Sequence, residues 1–169
     1  MNIHPTSPRT AFLSVGVAVT ALVLLFSGLP AFGNTTSAHA QSPNPPASGT
    51  VVSLVPNRIA DSRIGLSFAT FSAAEQQDLQ VTGRGGVPLT GVGAVILNVT
   101  AVNSQAQGFL TVWPDDFGRP NTSNVNFASH DTIANTVIVK VQADGAIGLF
   151  NGSAGTLDVL VDVEGYIPS

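Results

Sequence analysis

The chain has 169 residues, 44% of them hydrophobic and only 9% charged, where an average soluble protein carries roughly 25% charged residues. Six Lys plus Arg against ten Asp plus Glu give a formal net charge of -4, too few cations to follow a phosphate backbone, which argues against nucleic-acid binding. The absence of cysteine excludes disulfides, thiolate zinc sites and Cys nucleophiles together.

A polar start containing Arg9 leads into an uncharged run, Ala11–Gly28, then Pro30 and a small, polar stretch ending Ala38-His39-Ala40. That order of n-region, h-region and A-x-A motif is a secretory signal peptide, so residues 1–40 are expected to be an export signal outside the fold. A single Arg argues against a twin-arginine signal, and no Cys follows the apolar run to carry a lipid anchor. Cleavage after Ala40 has the better motif. Gly33 lies nearer the apolar run, and an uncleaved N-terminal anchor is the alternative. Residues 41–50 (QSPNPPASGT) read as a Pro/Ser-rich linker. Without residues 1–40 the chain keeps all ten acidic groups and five of the six basic ones, with Lys140 the only lysine. Low charge is thus a property of the domain itself, residues 51–169. A membrane span is not expected in the mature chain.

The domain opens on Val55-Pro56-Asn57-Arg58-Ile59-Ala60-Asp61-Ser62-Arg63. Arg58, Asp61 and Arg63 pack three charges into six positions of a charge-poor chain. A structural ion-pair cluster that fixes the first strand against the sheet is the reading that bidentate Arg–carboxylate geometry favours. Ser72–Leu79 (SAAEQQDL) is the one helix-like stretch, two turns at most. Gly83-Arg84-Gly85-Gly86 lacks the G-K-[ST] ending of a phosphate loop and reads as a turn that needs positive φ. Val92–Val102 is apolar on both faces at its centre, as an interior strand would be. Phe109–Trp113 is a shorter strand, and Trp113 before Pro114 is as compatible with rim as with core. Asp115, Asp116 and Asn121 gather around Gly118 without the D-x-D-x-D-G spacing of a calcium loop.

Asn124–Ala128 is another short strand. His130, the only histidine after residue 40, abuts Asp131, but no G-x-S-x-G elbow supplies a serine, and a solvated turn is the plainer account. In Thr136–Gln142, Val137, Val139 and Val141 share one face; Ala146–Asn151 follows after the Ala143-Asp144-Gly145 turn. In Leu157–Ile167 the period of two puts Leu157, Val159, Val161, Val163 and Ile167 on one face. Asp158, Asp162, Glu164 and Tyr166 fall on the other. Asp162 and Glu164 are then ~7 Å apart, a glycosidase-like separation that any wet strand face also shows.

Several landmarks run in a fixed order: the Val55–Arg63 opening, Val81–Pro88, Ala94–Thr100, Leu110–Pro114, Arg119-Pro120, Ser123–Phe127 and Val161–Tyr166. In this set the sequence resembles a module of secreted actinobacterial proteins with a V-P-x-R-[IL]-x-D-[TS]-R opening and a D-V-x-G-Y ending. Ser62 stands where Thr is usual. The resemblance covers about residues 51–168 and implies an all-β extracellular module. It implies no established activity, ligand or catalytic residue.

The expectation is a single all-β domain, a β-sandwich or barrel of about eight or nine short strands. Its function reads as a secreted, non-enzymatic binding or adhesion module of the cell envelope, with an extracellular ligand such as a polysaccharide. A carbohydrate-binding module using Trp113, Tyr166, Asp158, Asp162 and Glu164 is the first alternative. A small secreted hydrolase using His130 or the carboxylate row is the second. No cofactor, metal site or catalytic residue is assigned.

Overall fold

The computed structural model describes residues 48–169, so the expected signal peptide and most of the linker lie outside the described residues. Eight strands follow one another: β1 (Val52–Asp61), β2 (Gln76–Gln80), β3 (Val92–Val102), β4 (Gly108–Pro114), β5 (Val125–Phe127), β6 (Ile133–Lys140), β7 (Ala146–Asn151) and β8 (Asp158–Pro168). They form two antiparallel four-stranded sheets. Sheet A has the order β1-β8-β3-β6 and sheet B the order β2-β7-β4-β5. The fold is a β-sandwich, as the alternating pattern predicts. Among the described residues no helix is long and apolar enough to cross a membrane.

The core is made by one side of each strand. Val95, Leu97, Val99 and Ala101 of β3, with Val159, Val161 and Val163 of β8, meet Leu110 and Val112 of β4 and Ile147 and Leu149 of β7. β-branched side chains dominate this layer because they suit a pleated, half-buried surface. β6 is an edge strand: Val137 and Val139 face the core, while Ile133–Thr136 are exposed. Its pairing with β3 begins at Ile133, ahead of the alternation visible in the sequence, and ends at Lys140.

The expected helix at Ser72–Leu79 does not form. Its start signal is real, since the Glu75 carboxylate accepts the Ser72 N–H as in a capping box. The chain then turns at Ala74, whose φ of +55° no right-handed helix continues. Gln76–Gln80 instead pair along β7 as β2 and bury Leu79. Sheet pairing overrides a local propensity for helix here.

Four register shifts interrupt the ladders of sheet A, and the two at Ile59 and Glu164 shape the site. Arg58 pairs with Asp162 and Ala60 with Val161, so Ile59 is the extra residue in β1. The freed Ile59 carbonyl accepts from Ser67 Oγ at 2.7 Å and from the Arg84 guanidinium at 2.6 Å, which satisfies a group the ladder leaves over. Arg84 reaches it from the glycine turn, where Gly83, Gly85 and Gly86 all have positive φ. A Cβ on Gly85 would stand 2.4 Å from Val163 Cγ1, so this turn closes the end of the core. In β8, Ile96 pairs with Gly165 but Leu97 with Val163, leaving Glu164 as the extra residue.

Candidate functional site

The β8 bulge breaks the carboxylate row read from the sequence. Beyond Glu164 the alternation is reversed, so Tyr166 pairs with the core-facing Val95 and packs against the core. It does not share a face with the acidic residues. Asp158 is buried rather than wet and accepts from Ser62 Oγ (2.7 Å), Thr70 Oγ1 (2.7 Å) and Asn103 Nδ2 (2.9 Å). Burial opposes its charge, but the hydrogen bonds from Asn103, Ser62 and Thr70, with the Arg63 charge behind them, hold its pKa below the ordinary value. Its role is to tie the Ser62–Thr70 segment and the end of β3 to the start of β8.

Arg58, Asp61 and Arg63 are brought together on the outer face of sheet A. Arg63 grips Asp61 through Nε (2.9 Å) and Nη2 (2.7 Å), and its backbone N–H donates to the same carboxylate at 3.1 Å. Arg58 touches Asp61 at 3.5 Å but makes its closer, two-pronged contact with Asp162, both arms at 2.8 Å. Asp61 is 3% exposed. Its hydrogen bond from Arg63, reinforced by the Arg63 and Arg58 charges against the cost of burial, lowers its pKa to about 2. Asp162 is the member the sequence does not group with the others. The signal for it was arithmetic: two arginines against one nearby aspartate leave a cation seeking a partner across the strand.

Of the two aromatics of the expected sugar platform, Tyr166 is half-buried against the core and Trp113 is closed off. Trp113 is 3% exposed and its indole N–H donates to Phe117 O at 2.9 Å. His130 is an exposed turn residue with φ +67°, and the Asp131 carboxylate accepts the Ala128 N–H at 3.0 Å. Asp131 therefore works as a turn cap. Glu164 is half-buried at the bulge. With Asp162 held by Arg58, the carboxylates do not form an acid–base pair around an open site.

A surface that the sequence does not single out lies at the β5–β6 side of the sandwich. Two depressions of about 310 and 380 Å³ adjoin at Asn126. The first is lined by Phe109, Asn121, Thr122, Ser123 and Asn126, the second by Asn124–Asn126 and Ile133–Asn135. Four asparagines, two hydroxyls and a half-buried phenyl ring meet there, with no charged side chain in the lining. Asn124 Oδ1 accepts the Val112 N–H at 2.7 Å, and Asn135 Nδ2 donates to Asn124 O at 2.8 Å. These two amides position the walls, while Asn121, Thr122, Ser123 and Asn126 remain exposed. Topology assembles this surface from loop, β4, β5 and β6 residues up to 26 positions apart, and its traces in the sequence were the Ser123–Phe127 landmark and Asn121 beside Gly118. A further depression, about 390 Å³ between the Leu89–Val92 and Val141–Ala143 segments, offers a single amide, Gln142.

No protein-family model matches the chain, and a search of curated proteins returns no match.

Proposed function

We propose that this chain is a non-enzymatic binding module of the cell envelope or extracellular space, and that it holds a neutral, hydroxyl-rich polymer such as a polysaccharide. The observation that carries this reading is the uncharged, amide-rich pair of depressions around Asn126. An asparagine side chain presents a donor and an acceptor together, the complement of a sugar hydroxyl. The Phe109 ring supplies an apolar surface for the C–H face of a pyranose. Without charge in the lining there is no electrostatic steering, which suits a neutral partner and not an acidic one.

Support for a binding module over a small hydrolase comes from the polar residues that chemistry would need. Asp158 and Asp162 are held by internal donors, and His130 stands exposed without Asp131 to orient it. Placement outside the cell rests on the sequence of residues 1–40, together with the resemblance to the secreted actinobacterial module.

The test is retention of the chain in native gels cast with neutral polysaccharides, compared with the Asn121→Ala/Asn126→Ala double variant. Retention of the wild type and its loss in the double variant are expected. No retention on any neutral polymer, or equal retention of both proteins, overturns the proposal.

A further inference from the structure

The segment leaving β4 folds back over the outer face of sheet B. Trp113 lies on that face, since its neighbours Leu110 and Val112 belong to the core. Its ring rests on Gly148, its partner in β7, where a Cβ would come within 2.6 Å of the indole. Two contacts pin the segment over this face: the indole N–H to Phe117 O at 2.9 Å, and the Arg119 guanidinium 3.7 Å from the centre of the Phe150 ring. The chain's one tryptophan is buried there, outside the main core cluster.

Carboxylates crowd the root of this cover. Asp115 is the first residue after β4, and Asp116 follows it. Asp144 arrives from the turn between β6 and β7, and Asp78 from β2, across Gly148 from Trp113. The cation of the cover, Arg119, stands over Phe150 instead of pairing with them. Asp115 Oδ1 is buried without a hydrogen-bond partner among the described residues. A carboxylate oxygen buried without a donor is costly when ionised, and neighbouring carboxylates add to that cost.

We propose that Asp115–Arg119 is a proton-operated cover, which lies over Trp113 and Phe150 while Asp115 is protonated and lifts to bare the indole when it is ionised. Burial and the neighbouring acids Asp144, Asp78 and Asp116 push Asp115 up to about 6. The neighbouring Asp115 carboxyl and the N–H of Ala146 hold Asp144 low. Because Asp115 is raised when the cover is closed, the closed form has its full stabilisation below the ordinary carboxylate value of 3.8. It loses that stabilisation as pH rises through about 6. The far end of the same loop, Asn121–Ser123, is a wall of the amide-rich depression, and Phe150 stands 6.3 Å from Phe109 in its lining. Regulation of binding by the cover rests on the function proposed above; the movement itself does not.

The single tryptophan makes the movement directly readable. Acrylamide quenching of Trp113 fluorescence is followed on the full chain from about pH 4 to about pH 8, with far-UV circular dichroism recorded alongside. Quenching is expected to rise several-fold with a midpoint near 6 while the β-sheet signal holds. Asp115→Asn should stay weakly quenched throughout, Asp144→Asn should move the midpoint to lower pH, and His130→Gln should keep the transition. Quenching independent of pH in the native chain, a transition that survives Asp115→Asn or vanishes in His130→Gln, or one that coincides with loss of the sheet signal, overturns the proposal. Polysaccharide retention measured at both ends of the range is a separate readout: its absence at every pH overturns the binding function and leaves the fluorescence result standing.

Discussion

The outer faces of the two sheets carry the same acidic residue in opposite circumstances. On sheet A, Asp61 and Asp162 each face a guanidinium and Asp158 receives three neutral donors. On sheet B, Asp78, Asp115, Asp116 and Asp144 gather with no cation drawn to them, and Asp115 is raised to about 6 where Asp61 is lowered to about 2. The difference teaches that an aspartate's titration is set by what the neighbouring strand places opposite it. In a chain with so few charges, sheet A has carboxylates that stay ionised and sheet B one that responds near neutrality.

The largest expected effect that would break this comparison is on Asp158. Asp158→Ala leaves the Ser62 hydroxyl, Thr70 hydroxyl and Asn103 amide without their acceptor, and should cost about 3 kcal/mol by urea unfolding. Asp158→Asn, which keeps an accepting oxygen, should cost less than Asp158→Ala.

Asp61→Ala should cost about 2 kcal/mol, below the range for a fully buried pair because the arginines stay partly in water. An unchanged unfolding midpoint would mean that the buried carboxylate is not what holds β1 to its turn.

The pH profile separates the two faces by sign. Asp61 is depressed, so its contribution is present above its ordinary value of 3.8 and is lost as pH falls through about 2. Asp115 is raised, so its contribution is complete below 3.8 and is lost as pH rises through about 6. Thermal unfolding against pH should therefore fall away on both sides of about pH 4, and Asp115→Asn should abolish only the upper decline.

The smallest effect belongs to Arg58→Lys. It replaces the two-pronged contact on Asp162 with a point charge at a site whose arginine side chain is 39% exposed, at a cost of about 0.5 kcal/mol. A loss as large as that of Asp61→Ala would place Arg58, and not Arg63, at the centre of the cluster.

Much of the fold could be read from the sequence because period-two alternation survives wherever a strand has one buried side. β3 and β7 have the limits that their residues predict, Val92–Val102 and Ala146–Asn151. The alternation fails where one residue is inserted. Glu164 shifts the count in β8, and Tyr166 changes sides although nothing in its own surroundings marks it. β2 was hidden for a different reason: Ser72-Ala73-Ala74-Glu75 starts a turn of helical kind, and only β7 makes the following glutamines a strand. Of the candidate site, the Arg58–Arg63 cluster was legible because its members are close in sequence. Asn121, Asn126 and Asn135 look like ordinary loop and strand residues until β4, β5 and β6 bring them to one surface. Trp113 had a strand-end position consistent with core or rim, and it is buried, on the outer side of its sheet with its indole N–H held by the following loop.

The position of β8 has a consequence for the order in which the molecule can assemble. It is the last strand in the chain and stands between the first strand and the third. The Arg58–Asp162 contact closes 104 positions, so β1 finds no neighbour until nearly the whole chain exists. Pairings of such long range make for slow folding. β3 and β6 can pair without β8, but β1 joins sheet A only through it. Loss of a residue from β8 would undo both of its neighbours, whereas a loss from β5 or β6 trims only a margin of the sandwich.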